Sequence, residues 1–65
     1  MSYRLKELRE SKGVTQLTLA KLINVSVRHY GNYESGRIDI PTGKSIILAD
    51  YYDISLDYLV GRTDS

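Results

Sequence analysis

The fold of this chain is decided by residues 15–36, TQLTLAKLINVSVRHYGNYESG, whose pattern predicts two short helices joined by a tight turn. Thr15 is a candidate N-cap for the first helix, because a threonine hydroxyl can accept a hydrogen bond from an unpaired N–H of the first turn. Apolar residues then recur at helical spacing at Leu19, Leu22 and Ile23. The first helix is therefore expected to bury one apolar face.

The second helix of this stretch is predicted to follow Ser26, another residue type that commonly caps helix N-termini. Tyr30 and Tyr33 stand three residues apart, so they share one helix face. Asn24, in the connection, tolerates the left-handed backbone that a sharp turn often needs. Two helices across such a turn form a helix-turn-helix. In the DNA-binding version the second helix enters the major groove and the first lies across the backbone.

The predicted second helix also carries side chains suited to base contacts. We expect Val27, Arg28, His29 and Asn32 on the face away from the two tyrosines. Arginine can hold guanine and asparagine can hold adenine with two hydrogen bonds each, and a valine can touch a thymine methyl group. Helix-turn-helix spacing by itself indicates DNA binding only moderately, because many small helical domains have short connections.

The sequence also resembles the Cro/CI-like (XRE) family of repressors, in two separate segments. The shared residues of the first segment are Thr15, Gln16, Leu19, Ala20, Val25, Ser26, Tyr33, Glu34 and Gly36. The second is the closing segment SLDYLVGRTD, residues 55–64. The resemblance implies an all-α fold, a lambda-repressor-like DNA-binding domain of five short helices with a central helix-turn-helix, over residues 1–65.

The same resemblance implies roles for individual residues. Gln16 is expected to bond a DNA phosphate, while the start of its helix points N–H groups the same way. Arg9 is expected to pair with Glu34 and so to set the angle between the first and third helices. An exposed arginine of little energetic value is the alternative. The expected DNA-contacting residues are Gln16, Ser26, Val27, Arg28, His29, Asn32, Ser35, Arg37 and Lys44.

Three further helices complete the predicted domain. The first is expected over residues 3–12, with Leu5 and Leu8 facing inward. The fourth is expected over residues 42–52 and the fifth over residues 55–60. In the fourth helix Leu48, Ala49 and Tyr52 follow helical spacing, with Ile46 beside them.

Departures from the family pattern leave alternatives open. Leu17 replaces a usually polar residue, and is either an exposed leucine of no consequence or a partner contact. Gly31, in mid-helix, costs about 0.5–1 kcal/mol relative to alanine. It either allows close approach to DNA or leaves the helix frayed until DNA orders it. Ile38 and Ile40 make the loop before Pro41 more apolar than is usual, which puts its phosphate contacts in doubt.

The charge is distributed unevenly along the chain. The net charge is only +1, but residues 1–45 carry eight Lys/Arg against four Asp/Glu, whereas residues 46–65 carry one Arg and four Asp. The basic part coincides with the helix-turn-helix, as a phosphate-facing surface should. With no cysteine and one histidine, no metal site or cofactor is expected. The absence of a signal peptide and of a membrane-length apolar run favours the cytoplasm.

Three classes of function compete for this sequence. The first is a sequence-specific regulator of double-stranded DNA, most simply a repressor. It is expected to act as a homodimer, because a single DNA-binding domain contacts too few base pairs to be selective. The expected contact between the two copies is formed by Tyr58, Val60 and the tail. The second is a protein-interaction module such as an antitoxin or anti-repressor partner, suggested by Leu17 and the apolar loop. An enzyme has no support, since His29 has no nucleophile arranged beside it. No small-molecule ligand or membrane partner is evident.

Overall fold

Five helices and no strands form the described part of the chain, residues 4–59, in a computed structural model. The helices are α1 (Leu5–Ser11), α2 (Gln16–Leu22), α3 (Val27–Ser35), α4 (Thr42–Tyr52) and α5 (Leu56–Leu59). The all-α prediction is confirmed, and α4 has the predicted bounds. The first helix is shorter than predicted, because it starts at Leu5 and is capped by Lys12. Within residues 4–59 no helix has the length and apolar character needed to cross a membrane.

The N-caps predicted at Thr15 and Ser26 both form, and each does so by the expected hydrogen bond. The Thr15 hydroxyl accepts from the Thr18 N–H at 3.2 Å, and the Ser26 hydroxyl accepts from the His29 N–H at 3.0 Å. At the start of α5, the Tyr58 N–H donates to the Ser55 hydroxyl at 3.1 Å. These bonds satisfy backbone N–H groups that have no partner inside the helix.

The turn between α2 and α3 uses a left-handed residue, as predicted. Asn24 has φ 61°, and the Val25 N–H then donates to the Ala20 carbonyl at 2.9 Å. At the far end of α3, Gly36 has φ 80°, a backbone conformation that side chains with a Cβ disfavour. Both helices of the helix-turn-helix are therefore followed by a residue whose left-handed backbone ends the helix sharply.

A single apolar core holds the five helices together. Tyr30 and Tyr33 of α3 lie in it, next to Leu19 of α2, and all three are almost fully buried. The whole buried apolar set is Leu5, Leu19, Ala20, Ile23, Tyr30, Tyr33, Ile40, Leu48, Ala49, Tyr52 and Leu59. Because α3 places two large rings in this core, its orientation relative to α2 is fixed by packing.

Two apolar residues predicted from helical spacing are not in the core. Leu22 is exposed, because the buried face of α2 runs through its neighbours Leu19 and Ile23. Ile46 is exposed because Ser45 takes the inward position. The Ser45 hydroxyl donates to the Pro41 carbonyl at 3.2 Å, so the buried hydroxyl is satisfied.

The two ends of the described chain meet. The Arg4 N–H donates to the Leu59 carbonyl at 3.1 Å, and the Arg4 guanidinium lies over the Tyr58 ring, 5.0 Å from its centroid. Tyr58 is thus partly covered by Arg4, the residue that precedes α1. The other parts of the predicted dimer contact, Val60 and the tail after it, lie outside the described residues.

Candidate nucleic-acid interface

The outer face of α3 carries polar and charged side chains, while its inner face is anchored in the core. Arg28 and Val27 are exposed, and Asn32 is half-buried. Tyr30 and Tyr33 occupy the opposite side of the same helix. Arg28 and Asn32 are separated by one helical turn, so their side chains emerge along one line of the helix surface.

His29 is not on the outer face with these residues, and its predicted placement is wrong. Its Nε2 lies 2.9 Å from the Tyr33 hydroxyl, and the two rings meet edge to face with centroids 4.8 Å apart. Residues four apart are neighbours on a helix surface, so the imidazole folds back onto Tyr33. The ring therefore packs on Tyr33, beside the face of α3 that carries Arg28 and Asn32.

A buried ion pair joins α1 to the end of α3. Arg9 Nε donates to Glu34 Oε2 at 2.7 Å and Arg9 Nη2 donates to Glu34 Oε1 at 3.4 Å. The side chains are only 17% and 5% exposed. The hydrogen bond to Glu34 raises the pKa of Arg9 above its ordinary value, against the opposite effect of burial. Arg9 also donates to the Val14 carbonyl at 3.2 Å, which ties the α1–α2 connection to the pair.

Gln16 is attached to the same ion pair. Its Nε2 donates to Glu34 Oε1 at 3.2 Å, so the first residue of α2 is held by the last turn of α3. The Gln16 amide also lies over Gly31, where an added Cβ would be 3.8 Å from Gln16 Nε2 and 3.9 Å from Oε1. An alanine would therefore fit beside Gln16, whereas a longer side chain would displace it. The side chain that passes closest to Gly31 is therefore that of Gln16.

Lys44, which was predicted to contact DNA, forms a hydrogen bond within the protein. Its Nζ donates to the Ile23 carbonyl at 2.8 Å. Ile23 is the C-cap of α2, where the helix dipole is negative and carbonyl groups lack partners. The first turn of α4 therefore holds the end of α2 in place, and the ammonium group is directed to the protein backbone.

The segment that follows α3 is ordered by hydrogen bonds of Ser35. Its hydroxyl donates to the Asn32 carbonyl at 3.2 Å and accepts from the Arg37 N–H at 3.4 Å. The Ile38 N–H donates to the same Asn32 carbonyl at 3.2 Å. Arg37 follows the C-terminal end of α3, and its side chain is exposed.

This arrangement matches a known family of proteins. A family model described as helix-turn-helix (HTH_3) matches residues 5–59. The chain belongs to this Cro/CI-like helix-turn-helix family. The resemblance given by residues 15–36 and 55–64 is thereby confirmed.

Several relatives are named as regulators. The chain is 41% identical over 61 residues to YobD, an uncharacterized HTH-type transcriptional regulator of Bacillus subtilis (strain 168), covering 94% of this chain and 54% of that protein. It is 36% identical to the HTH-type transcriptional regulator ImmR of the same organism, over 94% of this chain and 48% of ImmR. It is 38% identical to RstR, a cryptic phage CTXphi transcriptional repressor of Vibrio cholerae serotype O1, over 91% of this chain and 53% of RstR. The chain thus spans about half the length of these curated relatives.

A solved structure has the same fold. The crystal structure of a transcriptional regulator from Listeria innocua superimposes with a TM-score of 0.88 at 30% identity, and covers 100% of this chain and 64% of that chain. The lambda-repressor-like arrangement of five helices expected from the sequence is therefore the observed one.

One exposed cation beside the helix-turn-helix, Lys6, was not among the predicted contact residues. Lys6 of α1 borders an open groove whose other edges carry Gln16 and Ser35. Arg9 and Glu34 line the same groove. Lys6 stands one helical turn before Arg9, and that spacing was the available signal, because residues three apart share a helix face.

Two buried tyrosines lie near the ion pair. Burial raises the pKa of Tyr30 above its ordinary value, and the charge of Glu34 adds to the effect. Burial raises the pKa of Tyr52 to about 12, with smaller contributions from Tyr51 and Glu34. The Tyr52 hydroxyl has no hydrogen-bond partner among residues 4–59. Both phenols are therefore kept neutral in the folded protein.

We expect Tyr52→Phe to make the protein more resistant to alkali. The folded pKa of Tyr52 lies above the value of about 10 for an unfolded tyrosine, so its contribution is complete below pH 10 and is lost as the pH rises towards 12. At neutral pH the change should leave stability equal or higher by up to about 1 kcal/mol, because an unpartnered hydroxyl is removed. Circular dichroism during alkaline titration measures the midpoint of unfolding.

The exposed neighbour Tyr51 provides the control for this experiment. Tyr51→Phe removes the same hydroxyl group from a side chain that is 47% exposed, so the alkaline midpoint should move much less than in the Tyr52 variant, because Tyr51 only adds to the effect of burial on the pKa of Tyr52. Equal midpoints for the Tyr51 and Tyr52 variants would contradict the explanation by burial.

Proposed function

We propose that this protein is a sequence-specific regulator of transcription that binds double-stranded DNA and reads the major groove with α3. The observation that carries this proposal is the division of α3 into two faces. Tyr30 and Tyr33 anchor it in the core, while Val27, Arg28 and Asn32 point away from the core. Arginine and asparagine are residue types that distinguish guanine and adenine by paired hydrogen bonds.

The phosphate contacts of this proposal surround α3. Gln16 is oriented by Glu34, and one N–H of its amide remains for a phosphate oxygen. The Ser26 and Ser35 hydroxyls stand at the two ends of α3, and the exposed Arg37 follows it. Such contacts position a protein on DNA without reading the sequence. Lys6 is added to this set, and Lys44 is assigned to the α2 cap.

The proposed regulator acts as a repressor and as a homodimer. Repression is supported by the likeness to RstR, which is named a transcriptional repressor. A homodimer is supported by the small number of base pairs that a single domain of this size can contact. The two α3 helices of the dimer would enter half-sites about 34 Å apart. We assign the protein to the cytoplasm, where its DNA target is, and assign it no enzymatic activity.

Selection of random duplex DNA by the purified protein tests this proposal. Enrichment of a palindrome with half-sites about ten base pairs apart is the expected result. Failure to enrich any sequence, with a folded protein, would favour the protein-interaction alternative. That alternative is supported by the exposure of Leu17 and Ile38 and is weakened by the burial of Ile40 in the core.

We expect Arg28→Ala to weaken binding to the selected operator by about 1–3 kcal/mol and to relax selectivity at one base pair. The side chain is exposed on α3, so the fold should be unaffected. Titration against the operator and its single-base variants by fluorescence anisotropy measures both effects. Lys12→Ala, which removes an exposed cation at the end of α1, is the control. An Arg28 variant with unchanged selectivity would refute the assignment of Arg28 as a base-reading residue.

A further inference from the structure

Gly31 lies in the middle of α3, where nothing in its own backbone requires a glycine. The helix runs without interruption over Val27–Ser35, and the described glycines with positive φ are Gly13 and Gly36. Glycine is less favourable than alanine inside a helix, because it loses more conformational freedom on folding. The reason for a glycine at this position is therefore expected in the space beside it.

The space beside Gly31 is taken by the side-chain amide of Gln16. A Cβ added to Gly31 would be 3.8 Å from Gln16 Nε2 and 3.9 Å from Gln16 Oε1. These are ordinary van der Waals distances, so a methyl group fits beside the amide. A bulkier side chain, with atoms on more than one side of Cβ, has to enter the space of the amide itself.

The acceptor that Gln16 reaches beside Gly31 is held in place by another helix. Gln16 Nε2 donates to Glu34 Oε1 at 3.2 Å. Glu34 stands three residues after Gly31, so the two residues share one face of α3. The Glu34 carboxylate accepts from Arg9 Nε at 2.7 Å, and its side chain is only 5% exposed. Because this carboxylate is not free to follow a displaced amide, Gln16 keeps its bond only while the space beside Gly31 is open.

We propose that Gly31 is a positioning residue for DNA binding, which acts by leaving the Gln16 amide the room to bond Glu34. An amide has two N–H groups, so the one that Glu34 does not use is held beside α3 for a phosphate oxygen of DNA. A side chain that is already ordered loses less rotamer freedom on binding, which strengthens the phosphate contact. This role of Gly31 rests on the proposed function, because it deepens the role given there to Gln16.

The positioning role differs in its consequences from the two explanations of Gly31 that the sequence left open. If glycine allowed DNA to approach the backbone of α3, even the methyl group of alanine would weaken binding. If glycine left α3 frayed until DNA ordered it, alanine and isoleucine would change the affinity in the same direction, since both favour a helix more than glycine does. Room for Gln16, by contrast, predicts that alanine is tolerated and isoleucine is not.

Binding of the full chain to its selected operator, with Gly31→Ile and Gly31→Ala compared, tests the proposal. Isoleucine carries two heavy atoms on Cβ and has one preferred rotamer in a helix, so it cannot turn away from the amide. Gly31→Ile should bind about tenfold more weakly for each copy on the DNA, the loss of one hydrogen bond to a charged group. Gly31→Ala is the matched control and should bind within about twofold of the parent protein, since it displaces nothing. Equal affinities of the two variants would overturn the positioning role.

A double-mutant cycle determines whether the effect of Gly31→Ile passes through Gln16. Gln16→Ala removes the amide, so isoleucine then has nothing to displace and should weaken binding by less than about twofold further. An isoleucine effect of the same size without Gln16 would mean a direct action on DNA or on α3, against the proposal. The loss should also be equal for the operator and its single-base variants, because phosphate contacts carry no sequence information. A changed order of preference among those variants would indicate a base contact instead and would overturn the proposal.

NMR spectra without DNA distinguish failure of this proposal from failure of the proposed function. The side-chain amide signals of Gln16 should shift in Gly31→Ile and keep their parent positions in Gly31→Ala. Unshifted signals in a folded isoleucine variant would overturn the positioning role and leave DNA reading intact. Shifted signals in a protein that enriches no DNA sequence would overturn the proposed function and leave the packing of Gln16 on Gly31 intact. Gly31→Val has the same branching with less bulk, so it gives the same test if the isoleucine variant does not fold.

Discussion

Replacing Glu34 with alanine is expected to lower the free energy of unfolding by about 3–5 kcal/mol, because it leaves the Arg9 guanidinium buried without its counter-charge. The pair is mostly removed from water, with side chains 17% and 5% exposed. A domain of 65 residues has a total stability of roughly 3–10 kcal/mol. The loss is therefore large enough to unfold much of the protein at ordinary temperature.

The reason for so large an effect is that Glu34 serves two helices besides its own. It accepts from Arg9 of α1 at 2.7 Å and from Gln16 of α2 at 3.2 Å. Alanine removes these bonds and the longer one from Arg9 Nη2, so it leaves three donor groups without their acceptor in a partly buried site. Urea unfolding followed by circular dichroism measures the change.

A double substitution separates the cost of an unpaired charge from the value of the pair. Arg9→Met with Glu34→Leu replaces both members by apolar side chains, and replacing a whole buried pair is often neutral or stabilising. We expect the double variant to be more stable than Glu34→Ala. If Glu34→Ala lost less than about 1 kcal/mol, the pair would behave as an exposed one, and its burial would have no energetic consequence.

Affinity for the selected operator is expected to fall about 10³-fold between about 50 mM and about 200 mM salt. Phosphate contacts release counterions, and the logarithm of the binding constant falls with a slope of about −0.9 for each neutralised phosphate. Two of the cations in the basic part of the chain are already bound within the protein, namely Arg9 by Glu34 and Lys44 by the Ile23 carbonyl. About three cations for each copy remain near the exposed face of α3. The two copies of a dimer would therefore neutralise about six phosphates, and the slope for about six phosphates corresponds to a fall of about 10³-fold.

A pair of variants checks which cations contribute. Arg37→Gln should reduce the slope by about 1 for each copy, since Arg37 is exposed beside α3. Lys44→Gln should leave the slope unchanged and should lower stability, because it removes the cap of α2. Fluorescence anisotropy at several salt concentrations measures the slopes. An equal reduction in both variants would restore Lys44 to the phosphate-contacting set and contradict its assignment to the cap.

The sequence was sufficient for features that depend on neighbouring residues. Thr15 and Ser26 cap their helices through N–H groups three residues away, and such bonds form wherever the local backbone is helical. The left-handed Asn24 and Gly36 likewise follow from residue types that tolerate positive φ. These local signals determined the helix-turn-helix and, with the family resemblance, the kind of ligand it is proposed to bind.

The tertiary structure decided everything that depends on which of several partners a side chain meets. The sequence offered Lys44 as a cation for DNA, but the fold brings it to the Ile23 carbonyl, 21 residues away along the chain. The contact of His29 with Tyr33, by contrast, joins residues four apart within α3, so helical spacing alone could have indicated it. On α4, Ile46 was named beside the apolar pattern, yet Ser45 took the inward position and Ile46 was left outside. The reason is that the rotation of a helix about its axis is set by packing against distant elements, and sequence spacing specifies only which residues share a face.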